Sequence, residues 1–433
     1  MKRGFYTIMS AQFFSSLADN ALFVTAVELL RANGAPEWQR AALVPMFALF
    51  YVVLAPFVGA FADALPKGRV MFISNAIKVV GCLMMLFGHH PLIAYAVIGL
   101  GAAAYSPAKY GILTELLPAS QLVKANGWIE GLTITSIILG VLVGGQLVGP
   151  TISQHLLGFD FPYVNTGVDT PAEAAIAVLI LIYIVAAWFN LHIPLTGVAM
   201  RTLREDPSKS LCANLRGLLP DFWRCSKRLW ADKLGQISLS TTTLFWGASG
   251  NLRYIVLAWG AAALGYSTTQ ASALVGVVAI GTAVGAVLAS MRMRLDNATR
   301  VIPLGVLMGL LVVCMIFIDS LWVAVPFLIL LGGLGGFLVV PMNALLQHRG
   351  HNLMGAGRSI AVQNFNEQLA ILAMGGFYSL STKMGLTAFG AITVFGLLVA
   401  ATMVLIGLWH WNNCRRHPQE VEKLLDIARR DCH

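Results

Sequence analysis

Apolar segments of about twenty residues recur along almost the whole 433-residue chain, and they constrain the fold more than any other feature. A helix needs ~20 apolar residues to cross a bilayer. Because only 11% of the residues are charged, the chain cannot cover itself with a polar surface. The sequence therefore predicts an all-α polytopic membrane protein with twelve transmembrane helices. The predicted spans are residues 5–30, 38–64, 70–88, 91–117, 125–149, 172–194, 236–262, 268–290, 301–319, 321–347, 358–381 and 386–411.

The basic residues predict the orientation of these spans. With both termini in the cytoplasm, 23 of the 29 Lys and Arg residues fall in cytoplasmic segments and three fall in external loops. Such an excess of basic residues on the cytoplasmic side is the rule for membrane proteins. The net charge of +9 is thus explained by membrane orientation, and no nucleic-acid partner is expected.

The two halves of the chain read as duplicated six-span bundles. A shift of 234 residues places GLGAAAYSPAKYGIL (99–113) over GLGGFLVVPMNALLQ (333–347), with Pro107 on Pro341 and Lys109 on Asn343. The shared proline is therefore assigned to the fold, whereas the lysine is specific to the first half and is a candidate for cargo binding. Sites in duplicated transporters lie near mid-membrane between the repeats.

This repeat sets the predicted domains. They are an N-terminal six-helix bundle at 1–195, an amphipathic cytoplasmic linker at 196–235, a C-terminal six-helix bundle at 236–411 and a cytoplasmic tail at 412–433. The linker mixes Leu, Phe and Trp with basic residues, which is typical of a helix lying on the membrane surface. A plain helical connection fits its sequence equally well.

Ionisable residues inside spans are functional candidates, because each costs about 2.5–3.5 kcal/mol to insert. Asp19 lies 16 residues after Arg3, about 24 Å along a helix, and Arg253 lies 20 residues after Lys233, so both are predicted near mid-membrane. The same repeat shift aligns these two residues. The residues predicted to bind substrate are Asp19, Asn20, Lys109, Arg253, Glu367, Trp246, Gln363 and Asn364.

Structural alternatives stay open for the charged candidates. Asp19 and Arg253 could pair with each other and lock one conformation. Lys78 and Lys109 could extend to the inner headgroups, as lysines near helix ends do. Lys109 lies toward the cytoplasmic end of its span, so as a functional residue it is predicted to be a second, inner contact for an anionic group of the cargo.

The loop GAFADALPKGR (59–69) joins spans two and three and resembles the signature loop of the major facilitator superfamily, with two extra residues between Asp63 and Gly68. Its glycine permits close helix packing, its aspartate ends a helix, and its basic residues hold the cytoplasmic side. The residues assigned gating or structural roles are Gly59, Asp63, Lys67, Arg69, Pro107 and Pro341.

Motifs between about residues 8 and 408 resemble the lysophospholipid transporter family of Gram-negative bacteria. They are ADNALF (18–23), APFVGAFAD (55–63), KGRVM (67–71), GAAAYSPAKYGIL (101–113), VKANG (123–127), LFWGA (244–248), PMNALLQ (341–347) and AVQN (361–364). The resemblance implies a major facilitator fold in the inner membrane, a flippase-like inward movement of lysophosphatidylethanolamine and lysophosphatidylglycerol, and re-acylation by a cytoplasmic acyltransferase. It also implies functional charges at Asp19, Lys109, Arg253 and Glu367, although QNFNEQ (363–368) departs from the family's local pattern.

Two other functions are alternatives to this prediction. A proton-coupled multidrug or small-solute transporter of the same superfamily would use Asp19 or Glu367 as its proton carrier. A membrane acyltransferase is suggested by the spacing of His155 and Asp160 in HLLGFD, but this pair is predicted on the external side, and twelve spans leave no room for a catalytic domain. No enzymatic activity is therefore expected. The six cysteines form no metal or CxxC pattern, so no metal or cofactor is expected, and the protein is predicted to be a monomer.

Overall fold

The computed structural model describes residues 3–35, 37–157, 170–200, 210–266 and 268–430. Within these ranges the regular structure is helical, and the all-α prediction is confirmed. The helices are α1 (Arg3–Ala32), α2 (Glu37–Val53), α3 (Ala55–Ala64), α4 (Lys67–Leu86), α5 (Pro91–Leu116), α6 (Ala119–Val148), α7 (Pro150–Leu157), α8 (Pro171–Leu191), α9 (Leu211–Ala231), α10 (Gly235–Leu264), α11 (Thr268–Arg292), α12 (Ile302–Cys314), α13 (Leu321–Met354), α14 (Ala356–Lys383), α15 (Ala388–Arg416) and α16 (Pro418–Arg430). Short 3-10 segments, Leu295–Val301 and Met315–Phe317, flank α12.

Each predicted span coincides with a long helix or with consecutive helical segments. Among the described residues, nine helices are long and apolar enough to cross a membrane, or ten when one bent pair is counted as a span. The bent pair is α2 with α3, which meet at 65°. Pro56 lies in the first turn of α3 and has no N–H with which to continue the helical ladder. The two remaining predicted spans are α10 and α14, which carry most polar candidates of the second half.

The helices α7, α9 and α16 lie outside the predicted spans. Helix α9 falls in the predicted linker, where it buries Leu218 and Phe222 and exposes Leu219 and Trp223. Residues 201–209 of that linker lie outside the described residues. The helix therefore has one apolar face against the protein and a mixed face directed outward.

The chain divides into two compact units. Unit 1 comprises Met1–Ile112 and Thr135–Phe222, and unit 2 comprises Leu113–Ile134 and Trp223–His433. The last turn of α5 and the first half of α6 therefore belong to unit 2. The domain limits predicted at residues 195 and 236 stay predictions.

In unit 1, glycines of α6 bring that helix against the backbone of α1. A Cβ atom at Gly140 would lie 2.6 Å from the Leu17 carbonyl oxygen, and one at Gly144 would lie 2.6 Å from the Ala21 carbonyl oxygen. These distances are too short for any side chain, so α1 is held closely on this side. Asp19 lies on α1 between the two contacts.

In unit 2, glycines bring α11 and α13 into direct backbone contact. A Cβ atom at Gly285 would collide with the Gly333 carbonyl, and one at Gly332 would collide with the Val278 carbonyl. Small residues on both sides let the backbones of membrane helices approach closely. We call this contact the α11–α13 glycine seam.

Candidate functional site

Asp19 forms an ion pair with Lys78 inside unit 1. The ammonium of Lys78 on α4 lies 2.8 Å from Oδ2 of Asp19, and the Tyr183 hydroxyl on α8 donates to Oδ1 at 2.7 Å. The Lys78 side chain is 1% exposed, whereas that of Asp19 is 20% exposed. The carboxylate is thus the accessible member of the pair, and the ammonium lies behind it.

Further polar groups support this pair. Lys78 also donates to the Ser15 hydroxyl at 3.0 Å, and Ser15 donates in turn to Oδ1 of Asn75 at 2.8 Å. The ammonium lies 5.0 Å from the ring centre of Tyr105 and 5.5 Å from that of Tyr183, within the range of cation–π attraction. We refer to these residues as the Asp19 cluster: Ser15, Asp19, Asn75, Lys78, Tyr105 and Tyr183.

The cluster corrects one sequence-based expectation. Lys78 does not extend to the headgroups, because its ammonium is buried and paired with Asp19. An ammonium buried in hydrocarbon is too costly without partners, and here a carboxylate, a hydroxyl and two aromatic faces provide them. The side chain of Arg253 lies outside the described residues, so its role in the site stays a prediction.

Unit 2 contains a second polar cluster, which joins α13 to α14. The Gln363 amide donates to Oε1 of Glu367 at 2.7 Å and to Oδ1 of Asn343 at 3.0 Å. All three side chains are buried. The structure thus brings together two predicted site residues, Gln363 and Glu367, with Asn343, the repeat counterpart of Lys109.

The other predicted binding residues occupy separate positions. The Asn20 amide donates to the Ser16 carbonyl at 2.8 Å, one turn earlier on its own helix. Lys109 is buried, with its ammonium 4.1 Å from the ring centre of Tyr110. Trp246 is half-buried and meets Phe245 edge to face, with the ring centres 5.3 Å apart. Asn364 is buried beside Gln363 on α14.

Lys67 stabilises the predicted signature loop. Lys67 lies 2.9 Å from Oδ1 of Asp63 and donates to the Ala62 carbonyl at 2.6 Å, and its side chain is 4% exposed. Gly59 is buried in α3, and Arg69 is exposed. Lys67 therefore joins the end of α3 to the start of α4, across the turn that the sequence assigned to gating.

Pro107 and Pro341 both lie inside long helices, α5 and α13, at buried positions. Both prolines are thus packed against other parts of the protein, on the two helices that the repeat aligns. Asp160, one of the two residues of the acyltransferase alternative, lies outside the described residues. Among the described residues, no three His, Cys, Asp or Glu side chains are arranged to hold a metal ion.

Sequence reasoning missed the roles of Lys78 and Tyr183. Lys78 follows Lys67 by eleven residues, about 16 Å along a helix, so the depth argument used for Asp19 would also have placed it well inside the membrane. Tyr183 offers no such signal. It stands in a strongly apolar span, where a tyrosine is indistinguishable from one facing lipid or core.

The fold is shared with solved transporters of low sequence identity. The human organic anion transporter MFSD10 superimposes with a TM-score of 0.70 at 14% identity, over 94% of this chain and 100% of that one. The Escherichia coli fucose:proton symporter FucP gives a TM-score of 0.69 at 12% identity, over 94% of this chain and 98% of that one. These likenesses concern the fold alone.

Sequence comparison identifies the family. The model of the Major Facilitator Superfamily matches residues 8–375. The lysophospholipid transporter LplT of Enterobacter sp. (strain 638) is 40% identical over 416 residues, which are 95% of this chain and 97% of the relative. The LplT of Photorhabdus laumondii is 38% identical over 418 residues, 96% of this chain and 98% of the relative. The chain therefore belongs to the lysophospholipid transporter family of the major facilitator superfamily.

Proposed function

We propose that this protein moves lysophospholipids across the bacterial inner membrane to the cytoplasmic leaflet, as a flippase-like transporter. The observation that carries the proposal is the Asp19 cluster: an ion pair inside the spans whose carboxylate is 20% exposed while its lysine is buried. The names of relatives that are about 40% identical over most of the chain support the choice of cargo.

The charge pattern suits such a cargo. A lysophospholipid carries one acyl chain and a polar headgroup with a phosphate, and moving that phosphate through hydrocarbon without partners is costly. A transporter has to supply partners for the headgroup, while the acyl chain can remain in lipid or against apolar surface. Lysophosphatidylethanolamine presents both signs of charge, and lysophosphatidylglycerol presents the phosphate with neutral hydroxyls.

Each candidate has a proposed role that follows from its charge. Arg253 and Lys109 are proposed partners of the phosphate, because cationic side chains form charge-assisted hydrogen bonds with it. Asp19 and Glu367 are proposed partners of the ethanolamine ammonium. Glu367 is held by Gln363 at 2.7 Å, so it enters the site already oriented. The headgroup is proposed to engage these groups in turn as the transporter alternates its access.

Orientation and cellular setting belong to the same proposal. We place both termini in the cytoplasm, since 23 of the 29 Lys and Arg residues then fall on the cytoplasmic side. Delivery to the cytoplasmic leaflet would supply a cytoplasmic acyltransferase with its substrate, which couples the two proteins functionally without requiring contact. The protein is proposed to work as a monomer.

Uptake of labelled lysophosphatidylethanolamine into spheroplasts tests the proposal. Wild-type protein is expected to support uptake, and Asp19→Asn, Arg253→Ala and Lys109→Ala are each expected to lower it by roughly tenfold or more, the range for one charge-assisted hydrogen bond. Lys124→Ala and Glu422→Gln change exposed residues and serve as matched controls that keep wild-type uptake.

Two results would contradict the proposal. Unimpaired uptake in all three site variants, at equal protein abundance, would refute headgroup pairing. If Asp19→Asn abolished efflux driven by a pH gradient and left lysolipid uptake intact, the protein would instead be a proton-coupled multidrug or small-solute transporter.

A further inference from the structure

Lys78 is buried in unit 1, and its ammonium contacts four other side chains. Its ammonium donates to Oδ2 of Asp19 at 2.8 Å and to the Ser15 hydroxyl at 3.0 Å, and the rings of Tyr105 and Tyr183 lie beside it. With a side chain that is 1% exposed, Lys78 offers no surface to a headgroup. Any effect of this residue on transport therefore acts through the groups that it holds, and among these Asp19 is the exposed one.

The stem of Lys78 is fixed by the neighbouring helix. At Gly101 on α5, an added Cβ atom would lie 2.7 Å from Cγ of Lys78 and 2.7 Å from the Ser74 carbonyl oxygen. The backbone of α5 thus lies directly against the aliphatic part of the lysine. Lys78 therefore cannot move toward α5 while these helices stay packed.

Unlike Lys78, Asp19 is partly exposed and can accept further hydrogen bonds. Its Oδ2 accepts from Lys78 and its Oδ1 accepts from Tyr183, so both oxygens are fixed in direction. An ionised carboxylate has about four lone-pair sites, so two remain for a further donor. The exposed fraction of Asp19 is the edge at which such a donor can arrive.

We propose that Lys78 is a positioning and specificity-determining residue, which holds the Asp19 carboxylate in place and aimed so that the site favours headgroups with an ammonium over headgroups with only hydroxyls. This inference rests on the proposed function. A carboxylate buried in a membrane span without a partner is costly, and Lys78 provides that partner here. An ammonium gains more than a hydroxyl from the Asp19 carboxylate, because opposite charges attract each other in addition to forming the hydrogen bond.

The test compares two cargoes in spheroplasts: labelled lysophosphatidylethanolamine, which has an ammonium, and labelled lysophosphatidylglycerol, which has none. Lys78→Met is expected to raise KM for the first cargo by roughly tenfold or more and for the second by about threefold or less. Lys124→Met, at an exposed position, is the matched control with unchanged constants. Asp19→Asn/Lys78→Met is expected to show the same loss of cargo preference as Asp19→Asn, since both changes act on one carboxylate.

A second variant moves Lys78 without changing any charge. Gly101→Ala inserts a methyl group against its stem and is expected to shift the cargo ratio in the same direction, whereas Gly145→Ala, which has open space around it, keeps the ratio. This variant keeps the proposal testable if Lys78→Met does not accumulate in the membrane.

The outcomes are distinct. Equal losses for both cargoes would overturn the specificity role and leave Lys78 a structural residue. Improved lysophosphatidylethanolamine uptake in Lys78→Met would also overturn it, since Lys78 would then compete with the cargo for Asp19. Wild-type protein that takes up neither lipid would refute the proposed function itself, and the role of Lys78 with it.

Discussion

Asn126 on α6 and Gln347 on α13 exchange two amide hydrogen bonds within unit 2. The Asn126 amide donates to Oε1 of Gln347 at 2.8 Å, and the Gln347 amide donates to Oδ1 of Asn126 at 2.9 Å. Both side chains are at most 1% exposed. The pair links residues 221 positions apart, one from each half of the sequence. It therefore stabilises the arrangement in which the start of α6 packs with the helices of unit 2.

Breaking this amide pair from one side is expected to be costly. Asn126→Ala or Gln347→Ala leaves the other buried amide unpaired, which costs about 1–3 kcal/mol. The double variant is expected to lose less than the sum of the single variants, because they share one interaction. Thermal unfolding of purified protein in detergent measures these changes, and Gln419→Ala, at an exposed position, is the control. Strict additivity would show that the two amides do not depend on each other.

The ion pair between Asp232 and Arg349 gives a second prediction. The Arg349 guanidinium binds both carboxylate oxygens, at 2.6 and 3.2 Å, and both side chains are at most 7% exposed. Oδ1 of Asp232 also accepts from the Gly235 backbone N–H at 2.7 Å, at the start of α10. Asp232→Asn keeps an oxygen for this cap but leaves the buried Arg349 without its counter-charge. We expect the free energy of unfolding to fall by about 3–5 kcal/mol, and thermal unfolding measures this change.

A surface pair of the same residue types is the control. Asp426 and Arg429 lie 2.9 Å apart with side chains that are 45% and 47% exposed. Asp426→Asn is expected to cost about 0–1 kcal/mol, because exposed ion pairs are screened by water. Similar losses for the two variants would mean that burial does not strengthen the Asp232 pair.

Gly101→Ala gives a third prediction, now on stability. The methyl group would meet the stem of Lys78 and the Ser74 carbonyl, so both Lys78 and α5 must shift, and overpacking of this kind costs about 1–3 kcal/mol. Gly145→Ala adds the same group to a helix where nothing lies within 4 Å, and we expect it to be neutral or slightly stabilising. The unfolding temperatures of Gly101→Ala and Gly145→Ala test this prediction, and equal values would disprove the tight contact at Gly101.

Glu367→Gln gives the fourth prediction, on transport. The substitution keeps the size of the side chain and a carbonyl oxygen for Gln363, but it removes the charge. We expect lysophosphatidylethanolamine uptake to fall about tenfold, which corresponds to ~1.4 kcal/mol, with little change in unfolding temperature. Glu422→Gln, at an exposed position, is the control. Full uptake by Glu367→Gln would remove this glutamate from the site.

The spans were predictable because hydropathy and the placement of basic residues follow directly from the bilayer. Each predicted segment coincides with helical structure, although α6 begins six residues before its predicted span and α13 ends seven residues after its own. The bend between α2 and α3 was not predicted, although Pro56 marks it. A span count treats an apolar segment as continuous, and one missing N–H does not change its hydropathy.

The partner of Asp19 was not predictable from the repeat. Alignment of the halves places Asp19 on Arg253, which concerns equivalent positions in two bundles, and equivalence does not imply contact. The partner in the structure is Lys78, from another helix of the same unit. Such pairing depends on how α1, α4 and α8 are rotated about their axes. Glycines such as Gly140, which packs against α1, fix that rotation through contacts between helices, and a single sequence does not show these contacts.

The α11–α13 glycine seam has a consequence for motion within unit 2. Carbonyl oxygens of each helix occupy the space where the other helix has no side chain, as at Gly285 with Gly333 and at Gly332 with Val278. Sliding one helix along the other by a residue would drive a side chain into that space. The two helices therefore have to move together as one rigid unit. Their backbone amides should be among the last in unit 2 to exchange with deuterium.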